Sequence, residues 1–205
     1  MTARTLDRSF LREVHRFWFG ELSSPGDLNQ DRTAIWYEQS DETDREIGKR
    51  FGRLIPEAAT AAWDVAGLSR EEGIALVVLL DQFPRNLFRR SGEAFAHDAK
   101  ARAIARALIA TGSERFFFVE RVALVLPFEH SEDVADQDYG VMLAAELAVA
   151  APENLRELCR STLDYATRHR DIIRRFGRFP HRNALLGRAS TAAEAAFTET
   201  AGRGF

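Results

Sequence analysis

Ser69 to Phe83 reads SREEGIALVVLLDQF, and this stretch decides the fold. Ser69 followed three residues later by Glu72 has the form of a capping box, in which the serine hydroxyl accepts from the Glu72 backbone N–H and the glutamate accepts from that of Ser69. From Ile74 to Leu80 every residue is apolar, without the alternation that a half-solvated strand requires. A helix with no polar face is a buried one. The pattern predicts a central helix that the other elements surround, stopping at Pro84, which has no N–H to continue the helix.

On its N-terminal side, Leu6, Phe10, Val14, Phe17 and Trp18 repeat at helical spacing between Thr5, read as the N-cap, and Gly20, a stop. A Ser, Pro, Gly and Asn loop follows from Ser23 to Asn29. Trp36 and Tyr37 precede Ser40, which caps a helix with Asp41, Glu42 and Asp44 in its first turn and Ile47, Phe51 and Leu54 facing inward, as far as Pro56. Ala58 to Ala66, anchored by Trp63, reads as a further helix closed by Gly67.

On the C-terminal side, Phe95, Ala99, Ile104, Ala107 and Leu108 outline a helix ending at Gly112. Another spans Glu114 to Leu126, cut off by Pro127. Val134 to Ala150 is a helix, and a long one opens at Pro152 and ends at Gly177. Thr191 and Glu194 form a second capping box. With no alternating strand and no hairpin turn, the expectation is an all-α fold of eight or nine helices in stacked antiparallel pairs, with residues 1–205 forming a single domain.

At 205 residues, 45% of them hydrophobic, the chain has enough apolar material for one substantial core. A net charge of -3 argues against a general nucleic-acid binder, whose domain would be basic. The single cysteine, Cys159, excludes an intramolecular disulfide, and its neighbours Leu155, Leu158 and Leu163 place it in a helical core. No apolar run approaches the ~20 residues needed to cross a bilayer, and the charged N-terminal stretch has no signal-peptide core. A cytoplasmic protein without a membrane partner is expected.

Charge is concentrated in one place. Around His169 to Arg188, HRDIIRRFGRFPHRNALLGR, stand Arg168, Arg170, Arg174, Arg175, Arg178, Arg182 and Arg188 against the single acid Asp171. Such a cluster needs a partner: nucleic-acid phosphate, a small anion, or acids of the same chain. The segment Glu129 to Asp138 supplies Glu129, Glu132, Asp133, Asp136 and Asp138, so intramolecular pairing is the plainer reading.

Three motifs, LDQFPRN (80–86), PFEHSED (127–133) and RFGRFPHRNALLGR (175–188), together with the HRFWFGE opening at 15–21, closely resemble a bacterial family of domain-of-unknown-function proteins, number 924. The resemblance covers nearly the whole chain. It implies a tetratricopeptide-like superhelix of stacked helix pairs and brings no established chemistry.

The motifs place Asp81, Gln82, Arg85, Asn86, Glu129, His130, Glu132, Asp133, His181, Arg182 and Asn183 at helix ends or in loops, where binding groups commonly lie. If they converge, Asp81, Arg85, Asn86, Arg178, Arg182 and Asn183 would bind an anionic small molecule bearing phosphate or carboxylate. His130 or His181, with Glu129, would serve as general acid and base. The structural reading pairs Arg85 and Arg182 with acids to fasten helices, and leaves Asn86 and Asn183 as caps. His130 and Glu132 match no standard zinc or di-iron spacing, so no metal is assigned, and no cofactor is named. Phosphate loops, dinucleotide fingerprints and serine elbows are absent. The rival reading is an interaction module that presents Phe176, Phe179 and the arginines to a peptide or RNA. Whether the chain is an enzyme stays open.

Overall fold

The computed structural model describes residues 8–201. Within them lie ten α-helices and no strand: α1 (Ser9–Phe19), α2 (Gln30–Tyr37), α3 (Asp41–Phe51), α4 (Leu54–Thr60), α5 (Arg70–Leu87), α6 (Asp98–Ala110), α7 (Phe118–Glu129), α8 (Val134–Ala150), α9 (Arg156–Phe176) and α10 (Ala192–Ala201). The expected cap at Thr5 lies outside the described residues.

Helix α5 is the axis. Ser69 and Glu72 form the capping box, and every residue from Gly73 to Asp81 is buried. It packs against α1, α3, α4, α6 and α7, while α8 lies on α7 and α9. Gly73 marks its closest approach to α6, since a Cβ there would stand 2.6 Å from Leu108 Cδ2. At the end of α1, the rings of Phe17 and Trp18 meet Phe83 edge-on, and Phe51 of α3 closes the cluster.

Neither proline expected to stop a helix does so. Helix α5 continues through Pro84 to Leu87, and α7 through Pro127 to Glu129. Each proline sits in the last turn, where its missing N–H forfeits one hydrogen bond, and the turn still closes, with Phe88 N–H donating to Pro84 O at 2.8 Å. Pro56 likewise does not end α3, which stops at Phe51, but lies in the first turn of α4. The helix expected over Ala58–Ala66 is shorter, ending at Thr60, and Trp63 anchors the following loop by donating from Nε1 to Ala58 O at 2.8 Å. Helix α2, with no fully buried residue, carries Trp36 and Tyr37 at its end.

Gly177, left-handed at φ 69°, ends α9, and a single 3-10 turn follows at Pro180–Arg182. Here a small satellite core of Ile172, Ile173 and Phe179, with Phe176 and Phe197 against it, binds α10 to α9. The Thr191–Glu194 capping box forms as expected. Cys159 is fully buried in the main core. Among the described residues no helix is long and apolar enough to cross a membrane.

Candidate functional site

The inner face of α7 carries Val119, Val122, Ala123, Leu126 and Glu129, and His130 just past its end continues the same stripe. That stripe is one wall of a cavity of about 460 Å³. Trp18 and Phe19 from α1, Trp36 and Tyr37 from α2, Gln82 from α5, and Ser161, Thr162 and Tyr165 from α9 complete it. The volume lies in the range of small-molecule sites. Trp36 is fixed by donating from Nε1 to Trp18 O at 2.8 Å, while Tyr37 and Tyr165 are exposed at the rim.

The polar end is built from the ends of α5 and α7. Asp81, fully buried, accepts from His130 Nδ1 at 2.8 Å and from Gln82 Nε2 at 2.5 Å. Burial opposes its charge, yet Arg85 and His130 hold it well below the usual carboxylate range. A charged carboxylate accepts only, so the His130 proton sits on Nδ1 and Nε2 carries the lone pair. Burial and the Arg85 charge lower the His130 pKa, which keeps the ring neutral.

Glu129 is of the opposite kind. It is 4% exposed, its Oε1 is buried without a hydrogen-bond partner, and it lies at the negative end of the α7 dipole. Burial, then the Asp81 charge, raises its pKa to about 8. The neighbouring His169, whose Nδ1 donates to Tyr165 O at 2.8 Å and stands 3.9 Å from Glu129 Oε2, is pushed down by burial to about 4 and brings no positive charge at neutral pH. A neutral acid and a neutral base therefore adjoin on one cavity wall.

The arginines stand behind this wall. Arg85 donates to both carboxylate oxygens of Asp98, at 2.9 Å each, and to Asp81 O at 2.6 Å. Arg182 has its guanidinium 4.4 Å from the ring centres of both Phe95 and Phe179, and donates to His130 O at 3.0 Å. Burial, with Arg85 nearby, lowers its pKa to about 10, so it stays charged. Neither arginine lines the cavity.

Of the residues expected from sequence, then, the fold brings Asp81, Gln82, Arg85, Glu129, His130 and Arg182 together, with Gln82, Glu129 and His130 in the wall. His181 stacks at 5.5 Å on Phe179, outside the lining. Asn86 donates to Asp44 Oδ1 at 2.9 Å, joining α5 to α3, and Asn183 donates to Ser190 Oγ at 3.0 Å, so neither is a cap for backbone groups. Arg178 is bound to both oxygens of Glu194. The plain pairing of the remaining basic cluster is largely realised, with Arg188 on Glu132 and Arg174 on Asp138. Sequence reasoning missed the aromatic wall: Trp18, Phe19, Trp36, Tyr37 and Tyr165. Its one readable signal was the α7 stripe running from Val119 into Glu129 and His130.

A family model described as bacterial protein of unknown function (DUF924) matches residues 14–202, which include every residue named in this site. The chain belongs to this family. A solved structure described as a protein of unknown function, ATU0120 from Agrobacterium tumefaciens, is 32% identical, covers 93% of this chain and 97% of its own, and superposes with a TM-score of 0.78. No curated protein matches.

Proposed function

We propose that this family member binds a small organic molecule in the cavity and exchanges protons with it, His130 Nε2 accepting and the Glu129 carboxyl donating. One observation carries this reading: His130, tied to a charged Asp81, and Glu129, buried with an unpartnered oxygen, adjoin on the wall of the same cavity. A general acid–base pair needs opposite proton states at the working pH, and the two environments supply them. Arg85 and Arg182 serve by holding Asp81 and the His130 carbonyl, which shifts their role from binding an anion to supporting the base.

The aromatic interaction surface finds less support, because Phe179 is fully buried and Phe176 packs on Phe197. Packing of α5 on α6, α6 on α7, α7 on α8 and α8 on α9 supports a tetratricopeptide-like stack as the frame. A lone, buried cysteine fits a reducing cytoplasmic setting.

The test is a thermal-shift screen of neutral and anionic metabolite-sized compounds on the wild type, on Ala123→Phe, which fills the cavity, and on Glu129→Gln. A stabilising compound whose effect vanishes in Ala123→Phe, in a variant that stays folded, establishes the site. Compounds that stabilise both proteins equally bind elsewhere and refute it.

A further inference from the structure

Resting on that reading, we infer that the substrate is an uncharged, ring-bearing carbonyl compound, and that the site moves a proton between carbon and oxygen within it. The lining argues for the lack of charge. No arginine or lysine is among the cavity's residues, and the charges behind its polar end are paired with one another, Asp81 with Arg85 and Asp98 with Arg85 and Arg182. An anion entering would shed its hydration and find no guanidinium fork in the wall to replace it.

The lining also argues for the ring. Trp18, Phe19, Trp36, Tyr37 and Tyr165 share the cavity with the stripe Val119, Val122, Ala123 and Leu126, so the wall away from Gln82, Glu129 and His130 is aromatic or aliphatic except at Ser161 and Thr162. A flat apolar body gains both burial and ring–ring contact there. Of the polar lining, the Thr162 hydroxyl already donates to Leu158 O and Ser161 is exposed to solvent, which leaves Gln82, Glu129 and His130 to read the ligand. The Glu129 carboxyl has a proton to give and an oxygen with no partner, so it asks for an acceptor such as a carbonyl oxygen. His130 Nε2 makes no hydrogen bond among the described residues and has a lone pair, so it asks for an acidic hydrogen. A carbonyl with a C–H beside it offers both.

The step balances without a redox partner. His130 Nε2 takes the α-hydrogen as a proton, and the C–H electron pair becomes a C=C bond. The carbonyl π pair moves to oxygen, which takes the Glu129 proton. The enol then faces a His130 imidazolium, held by Asp81, and a Glu129 carboxylate. Return of the His130 proton to the same or a conjugated carbon, with the enol proton going back to Glu129, restores both residues and leaves the substrate unchanged or isomerised.

The experiment uses the full chain with 1-tetralone as the neutral probe and 1-naphthoate and 1-naphthyl phosphate as anionic ones. Binding is read by quenching of tryptophan fluorescence, and chemistry by proton NMR of α-hydrogen exchange in D2O. The expected result is quenching by 1-tetralone, and exchange about 100-fold faster than buffer. The rate should collapse in His130→Gln and fall in Glu129→Gln, while Glu129→Gln still binds. Binding of the anions in place of the ketone overturns the substrate class and leaves the cavity reading standing. Ketone binding with no exchange overturns the proton transfer. Equal quenching in Ala123→Phe overturns the site itself.

Discussion

Arg182 donates from Nη1 to the backbone oxygen of His130 across 3.0 Å, so the histidine that faces the cavity is gripped from behind by a turn 52 residues further along the chain. The guanidinium is 6% exposed as a residue and lies between two rings, so it acts by shape as well as charge. Arg182→Ala should cost about 3–5 kcal/mol, since it empties the slot between Phe95 and Phe179 and strips Asp98 of one of its two cations. Arg182→Lys should cost less but still shift the His130 ring resonances. Urea unfolding and histidine NMR check both, and an alanine variant as stable as wild type would contradict the clamp.

Asp81→Asn tests the state of the base. The amide can donate as well as accept, so it no longer dictates that His130 carries its proton on Nδ1. Nitrogen-15 spectra of the ring should show the Nδ1–H tautomer in wild type and a mixture in the variant. A stability loss of about 1–3 kcal/mol should accompany the change, limited because Arg85 keeps its fork on Asp98. The same tautomer in both proteins would separate Asp81 from the chemistry.

Glu129 makes stability depend on pH with a definite sign. Its pKa rises from the ordinary 4.5 to about 8 in the folded state, so its contribution is fully present below 4.5 and is lost as pH rises through about 8. Across that window the folded protein holds a proton that the unfolded chain has released, and stability falls by at most about 1.4 kcal/mol per pH unit. Glu129→Gln mimics the neutral acid and lacks this loss. Unfolding at pH 5.5, 7 and 8.5 should therefore show the variant gaining steadily on wild type. Parallel curves would mean that the carboxyl is ionised throughout.

Gly73→Ala tests the axis of the fold. In an exposed helix the change would stabilise by about 1 kcal/mol, but here the new Cβ meets Leu108 Cδ2 at 2.6 Å in a fully buried contact. The expected result is a loss of about 1–3 kcal/mol, relieved when Leu108→Ala makes room in the double variant. Additive losses would show that α5 and α6 are not in close contact at this point.

Local signals carried much of the fold. The Ser69–Glu72 box, the apolar run behind it, the bounds of α8 and the Gly177 stop depend on neighbours within a few residues, and all were readable. Pro84 and Pro127 misled because a proline forfeits only its own bond to the carbonyl four residues before it, and the residues after it can still donate back along the helix when packing holds them there. For the site, the adjacency of Glu129 and His130 was plain, but the pairing of Arg85 with Asp98 and of Arg178 with Glu194 joins different elements and leaves no periodic trace. The dense arginines of 168–188 drew attention to what is the rear of the site. The rings of its wall, Trp36 and Tyr165 among them, carry no sign of that role until α2 and α9 are seen to line the same cavity.

The wall of the cavity begins at Trp18 and is not complete before Tyr165, and the clamp on its histidine arrives only with Arg182. The burial of Glu129 thus depends on helices far apart in the chain, and no single segment supplies it. The raised proton affinity of that carboxyl is for this reason a property of the assembled wall, not of the segment that carries it.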